Sequence, residues 1–149
     1  MSHLSQELIE AVRRFEGLHL KAYRCPSGHL TIGYGHTQGV KSGQAITAAQ
    51  AEAILMADLN QAHSRVLAIV PIPLTQSQAE ALTDFIFNLG EASLRKSTLL
   101  QKIIRKAPTP QIQAEFRRWI YASTSQGRII LKGLVARREW EAAMWARQP

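Results

Sequence analysis

Apolar residues recur with two different periods along this chain, and the switches between them mark its elements. Leu8, Ile9, Ala11, Val12 and Phe15 carry the spacing of one helix face. Leu4-Ser5 ahead of Ile9 fits a hydrophobic staple with a serine N-cap. From Leu30 the period becomes two, with Leu30, Ile32, Tyr34 and His36 on one strand face and Thr31, Gly33, Gly35 and Thr37 on the other. Just before it, Cys25-Pro26-Ser27-Gly28 places proline second and glycine fourth, the favoured positions in a type I turn, so the chain reverses there.

Helical spacing returns after Thr47, where Ala51, Leu55, Leu59, Ala62 and Ile69 gather within about 140° of arc. Thr47-x-x-Gln50 and Thr75-x-x-Gln78 read as capping boxes. Gly90 is placed to end a helix over 76–89, and Ser97 or Thr98 to cap one over 99–106. Thr109-Pro110 puts proline at a first helical position. Ser123 to Gly127 is turn-like and precedes a last helix over 134–147. The pattern predicts an α+β, mainly helical fold in a single domain, 1–149. It has a small β-rich lobe near 18–46, a connecting helix near 48–69 and a helical lobe near 72–149.

Composition narrows the function classes. No window reaches the eighteen apolar residues of a membrane span, so no membrane insertion is expected. Arg13, Arg14 and Glu16 interrupt any signal-like apolar core, which predicts a chain that stays cytoplasmic until released. A single cysteine allows no internal disulfide. The net charge of +7 is uneven: residues 91–149 hold 12 basic and 4 acidic side chains. Such a surface suits a polyanion such as carboxylate-bearing cell wall, or serves as a solvated basic exterior. No zinc spacing, RNA-binding aromatic motif or basic zipper accompanies it, so nucleic acid is not expected as a partner. The histidines show no metal-ligand grouping, and no metal is expected.

The candidate chemistry begins with Glu16, which falls about 80° from Leu8 and so inside the apolar stripe, while Glu7 and Glu10 fall outside it. A desolvated carboxyl holds its proton, as a general acid at neutral pH must. The other reading is a structural glutamate paired with an arginine. The Thr31, Gly33, Gly35 face is nearly bare, which suits either a saccharide with Thr31 as polar handle or close packing against a helix. Asp58 lies on the apolar side of the helix over 48–69, so it needs a partner.

Taken together, Glu16-Gly17, Cys25, Thr31 and the run Gly33-Tyr34-Gly35-His36-Thr37 resemble the phage-type lysozymes, the endolysin muramidases with a Glu, Asp, Thr catalytic trio. The resemblance continues through Phe85-Ile86-Phe87-Asn88-Leu89-Gly90, Ser97-Thr98-Leu99-Leu100 and Gly133 to Glu139, and so covers nearly the whole chain. It implies a lysozyme-like fold with the active-site cleft between the two lobes. The implied reaction is hydrolysis of the β-1,4 bond between N-acetylmuramic acid and N-acetylglucosamine in peptidoglycan, with no cofactor. It further implies Thr37, Phe87 and Thr98 as sugar contacts and His36 with Asp58 as a structural pair. Phe87 also reads as core, as do Trp119, Trp140 and Trp145, and Asp58 has Arg65 or solvent as alternatives. The implied setting is a monomer acting on peptidoglycan glycan strands in the periplasmic wall, reached from the host cytoplasm with a holin-type protein.

This chain has Cys25 where the phage-type trio often has aspartate, although many of the proteins it resembles carry cysteine there. Glycosidases ordinarily use two carboxylates, yet Glu7, Glu10 and Glu16 are the only acids before residue 50. The expected roles are therefore Glu16 protonating the leaving oxygen, Thr31 positioning the attacking water, and Cys25 ordering that water or lining the site. A free thiol, with a reference pKa of about 8.5, is mostly neutral unless activated; Cys25 reads equally as a small buried apolar residue. A lytic transglycosylase using Glu16 alone and a non-catalytic wall-binding protein stay open as rival functions.

Overall fold

Ser5 starts the first helix by accepting the Leu8 amide on its hydroxyl at 3.2 Å, satisfying one of the amides that a helix start leaves unpaired. The computed structural model describes residues 3–148. In chain order it contains α1 (Gln6–Glu16), β1 (His19–Arg24), β2 (Leu30–Gly33), α2 (Ala48–Ile69), α3 (Gln76–Leu89), α4 (Glu91–Lys96) and α5 (Thr98–Ile104). These are followed by α6 (Thr109–Phe116), β3 (Tyr121–Thr124), β4 (Gly127–Ile130) and α7 (Lys132–Ala146). The fold is α+β and mainly helical, with two small antiparallel sheets, β1-β2 and β3-β4. Both capping boxes are made: Thr47 and Gln50 exchange bonds at 2.9 and 3.1 Å, and Thr75 and Gln78 at 3.0 and 3.1 Å. Gly90 ends α3, and Ser97 rather than Thr98 caps α5.

The chain divides into two compact units, 1–61 and 62–149. In the first, Leu8, Ala11, Val12, Ile32, Ala51, Leu55 and Leu59 are all buried, so the two helix faces read from periodicity are the faces withdrawn from water. In the second, Val66, Leu82, Phe85, Leu99, Ile103, Phe116 and Trp145 belong to one core cluster, with Phe87, Trp119 and Trp140 packed against it part-buried. Phe85 meets the rings of Phe116 and Trp119 nearly edge-on, at centroid separations of 6.1 and 5.2 Å.

Three expectations require correction. The strand at Leu30 ends at Gly33 instead of running to Thr37, because Gly33 and Gly35 both take positive φ (65° and 76°) and turn the chain back. The stretch read as a turn at 123–127 is the tip of a second hairpin, β3-β4, within the part expected to be helical. Its strands are almost wholly exposed, so they carry no buried-face alternation to betray them. Pro110 occupies the second helical position, since α6 begins at Thr109.

The second unit also buries a cluster of charges that apolar periodicity does not announce. Arg137 on α7 grips Asp84 on α3 through Nε at 3.1 and 3.0 Å and Nη2 at 2.8 Å, with the aspartate wholly buried. Arg138 reaches Asn88 at 2.6 Å, Glu141 at 3.0 Å and the Trp119 carbonyl at 3.3 Å. Burial pushes the Asp84 carboxyl up, but the Arg137 charge, a hydrogen bond with Glu141 and the Arg138 charge outweigh it and hold the group below the usual carboxylate range. Burial and the Asp84 charge push Glu141 well above that range despite its two arginines.

These opposite shifts give opposite linkages. Asp84 contributes stability that is present above its unfolded pKa and lost as pH falls through its lowered folded value. Glu141 keeps its proton in the folded chain where the unfolded chain has released it, so its contribution falls as pH rises above 4.5. Replacing Arg137 with Ala strands Asp84 and is expected to cost about 3–5 kcal/mol in denaturant unfolding. Glu141→Gln, which cannot ionise, should gain on the parent in Tm between pH 5 and 8; a difference that stays constant over that range contradicts the assignment.

Candidate active site

The turn that ends β2 organises the first unit's chemistry. Ile32 and His36 exchange both backbone hydrogen bonds at 2.9 Å, closing a tight loop over Gly33, Tyr34 and Gly35. A Cβ at Gly33 would meet Ile46 and Ala51 at 3.5 and 3.6 Å, while one at Gly35 would fall on the Glu16 carboxyl, 2.7 Å from its Cδ. The bare strand face is therefore closed: Thr31, Ile32 and Gly33 are buried, and what approaches the glycines is Ile46, Ala51 and Glu16. Glu16, the last residue of α1, is half-buried with its carboxyl against the turn.

The same turn presents His36 to α2, where its Nδ1 lies 2.7 Å from Asp58 Oδ2. Arg65, the other partner considered for Asp58, binds Glu91 through two bonds of 3.0 and 2.7 Å. A pair not foreseen, Arg13 with Glu52 at 2.5 Å, ties α1 to α2 one turn before Glu16. Its sequence signal was the unused one: Arg13 stands in the last turn of the helix that carries the acid.

Cys25 sits at the reversal between β1 and β2, with the Gly28 amide on its carbonyl at 2.8 Å and its own amide on the His29 carbonyl at 3.0 Å. Its sulfur is 2.8 Å from Ser27 Oγ, which is 2.9 Å from His29 Nδ1. The Ser27 hydroxyl, the Thr31 hydroxyl and the Ser27 and His29 amides outweigh desolvation and lower the thiol pKa to about 6. The Thr31 hydroxyl donates to the His29 carbonyl at 3.1 Å. Tyr23, on β1, has its phenol pKa raised by burial and then by the charges of Cys25 and Glu16, so both groups act on one neighbour.

Of the remaining expected residues, Thr37 is exposed just after the turn in the first unit. Phe87 and Thr98 belong to the second. Phe87 packs part-buried on that unit's core, with the Arg137 guanidinium 5.8 Å from its ring. Thr98 is exposed at the first position of α5, on a groove of about 690 Å³ that Lys96, Arg118, Trp119 and Arg128 also line.

The profile of the phage lysozyme family matches residues 13–141, which takes in α1's end, both hairpins and most of α7. The chain belongs to the phage lysozyme family. It is 38% identical over 143 residues to the endolysin of Acyrthosiphon pisum secondary endosymbiont phage 1, covering 96% of this chain and 97% of that one. The endolysin of Bacillus phage PZA is likewise 38% identical, over 145 residues, but there the chain spans only 54% of the relative's length. Among solved structures, the muramidase domain of SpmX from Asticaccaulis excentricus superposes with a TM-score of 0.88 at 30% identity, covering 99% of this chain and 100% of that one. The fold is thus lysozyme-like and the protein is an endolysin-type glycoside hydrolase that acts on peptidoglycan.

Two outcomes follow for this member of the family. Gly35→Ala forces a Cβ onto the Glu16 carboxyl and strains a left-handed residue; at about 1–2 kcal/mol for the backbone alone, the chain stays folded while turnover of purified wall falls at least about tenfold. The Cys25 thiol should ionise with a midpoint of about 6, followed as thiolate absorbance at 240 nm against pH. A midpoint above 8 would remove the hydrogen-bonded thiolate from the site.

Proposed function

We propose that this endolysin is a muramidase that hydrolyses the β-1,4 bond between N-acetylmuramic acid and N-acetylglucosamine, with Glu16 as its general acid. Glu16 protonates the bridging oxygen as the bond breaks, while Cys25, as thiolate, orients the attacking water and accepts its proton. Thr31, expected to position the attacking water itself, is buried, and in this reading acts instead through its hydroxyl on that sulfur. Thr37, Phe87 and Thr98 contact the sugar chain, and the His36–Asp58 pair holds the turn against α2. The observation that carries this reading is the seat of the Glu16 carboxyl on Gly35, a left-handed residue where a Cβ would displace that carboxyl.

The hydrolytic reading is favoured over the transglycosylase because the second group it needs is available. Relative to a carboxylate pair, the thiolate supplies the second anion that the first fifty residues otherwise lack. We further propose that the enzyme works as a monomer and reaches the wall from the host cytoplasm through a holin-type lesion. No helix among the described residues is long and apolar enough to cross a membrane.

Mass spectrometry of the released muropeptides tests the reaction, run beside Glu16→Gln. Reducing ends are expected from the parent, and a loss of about 10²–10⁴ in turnover from the variant, the range that general acid catalysis supplies. Exclusively 1,6-anhydro ends would replace hydrolysis by the transglycosylase reaction. Parent-like turnover in Glu16→Gln would remove the acid.

A further inference from the structure

Cys25, Ser27 and His29 alternate through the tip of the first hairpin and bring three polar atoms into one line of contacts, Sγ to Oγ at 2.8 Å and Oγ to Nδ1 at 2.9 Å. A hydroxyl has one proton to give. If Ser27 donates it to the sulfur, its oxygen is left to accept, and the His29 Nδ1–H is the donor that reaches it. That polarity, from imidazole through hydroxyl to sulfur, ends on an atom with no proton of its own. The opposite polarity needs a protonated sulfur giving its hydrogen to Ser27, and a thiol is the weakest donor of the three.

We propose that Ser27 and His29 are positioning residues of the hydrolytic reaction, a polarised hydrogen-bond chain that presents the Cys25 sulfur to the attacking water as a proton acceptor. The inference rests on the reading of Cys25 as the water's partner and extends it to two residues that touch no substrate. The lowered thiol pKa agrees with it, since the Ser27 hydroxyl is the largest cause of the shift. Tyr23 on β1, whose phenol is affected by the Cys25 charge, and Arg24 beside it are the other titratable and charged groups of this end of the hairpin. Arg24 turns its guanidinium to the Gly28 carbonyl at 2.9 Å, which braces the turn's backbone. The tip residues Ser27 and His29 are exposed, so neither is held there by burial.

The test compares thiolate titration and the pH profile of kcat on purified wall for the parent, Ser27→Ala, Ser27→Thr and His29→Ala. The same Ser27→Ala change is also made in a Cys25→Asp background. In the parent, the thiol midpoint and the acid limb of kcat should coincide near 6. Ser27→Ala should move both upward by about one pH unit, so that turnover at pH 6 falls about fivefold beyond any change at the optimum. His29→Ala moves them in the same direction, and Ser27→Thr, which restores a hydroxyl, returns them. In the Cys25→Asp background Ser27→Ala should leave the acid limb in place, because a carboxylate ionises without the chain; a merely structural role at the tip would affect both backgrounds alike.

Unmoved titration and an unmoved limb in Ser27→Ala and His29→Ala, with Cys25→Ala inactive, overturn the chain while leaving Cys25 in its role. Parent-like turnover in Cys25→Ala overturns the role and the chain together, and leaves the Glu16 assignment to be judged by its own variant.

Discussion

The first unit's chemistry depends on the lack of a side chain at Gly35, a left-handed residue against which the Glu16 carboxyl lies. With positive φ there and at Gly33, β2 stops and the chain folds back. With no Cβ at Gly35, the Glu16 carboxyl closes against the loop. The same reversal lets His36 pair with Ile32 along the backbone and with Asp58 through its ring, so one turn connects the ends of α1, β2 and the middle of α2. A bulkier residue at position 35 would contend with the acid for the same space, which makes the backbone of the turn part of the acid's seat.

The second unit solves a different problem. Its helices α3 and α7 meet through Asp84, Arg137, Arg138 and Glu141, all buried, in place of a purely apolar seam. Desolvating such charges is expensive, and a well-packed apolar replacement often matches them in stability. What the charges add is direction: the two-pronged grip of Arg137 on Asp84 fixes the register of α7 on α3, and Arg138 fixes the Trp119 carbonyl and Asn88 around it. Register is a property that a seam of leucines specifies only weakly.

Much of this was legible in the chain. The serine and threonine caps, the stop at Gly90 and the buried faces of α1 and α2 follow from local spacing, and local spacing is what a sequence displays directly. The family resemblance was carried by residues scattered from Glu16 to Glu139, and the profile match spans the same stretch. The failures have physical causes. Period-two counting carried the strand through Gly33 and Gly35 because it weighs which face a residue occupies and not the sign of φ. The hairpin β3-β4 escaped because both its faces are wet. The Cys25, Ser27, His29 contacts escaped because they depend on which side chains a turn gathers at its tip, which neither periodicity nor charge reveals.

A thiol at position 25 needs help from its neighbours that a carboxylate there would not. An aspartate, with a reference pKa near 3.9, is an anion at neutral pH unaided, whereas a thiol near 8.5 is not. A sulfur at this position is therefore an anion at neutral pH only where its surroundings lower the thiol's pKa. Two hydroxyls and two backbone amides around Cys25 are the means this hairpin provides, and they come from its own turn and the first residues after it. All of them lie within six residues of the sulfur, so the hairpin alone supplies them and asks nothing of the helices behind it.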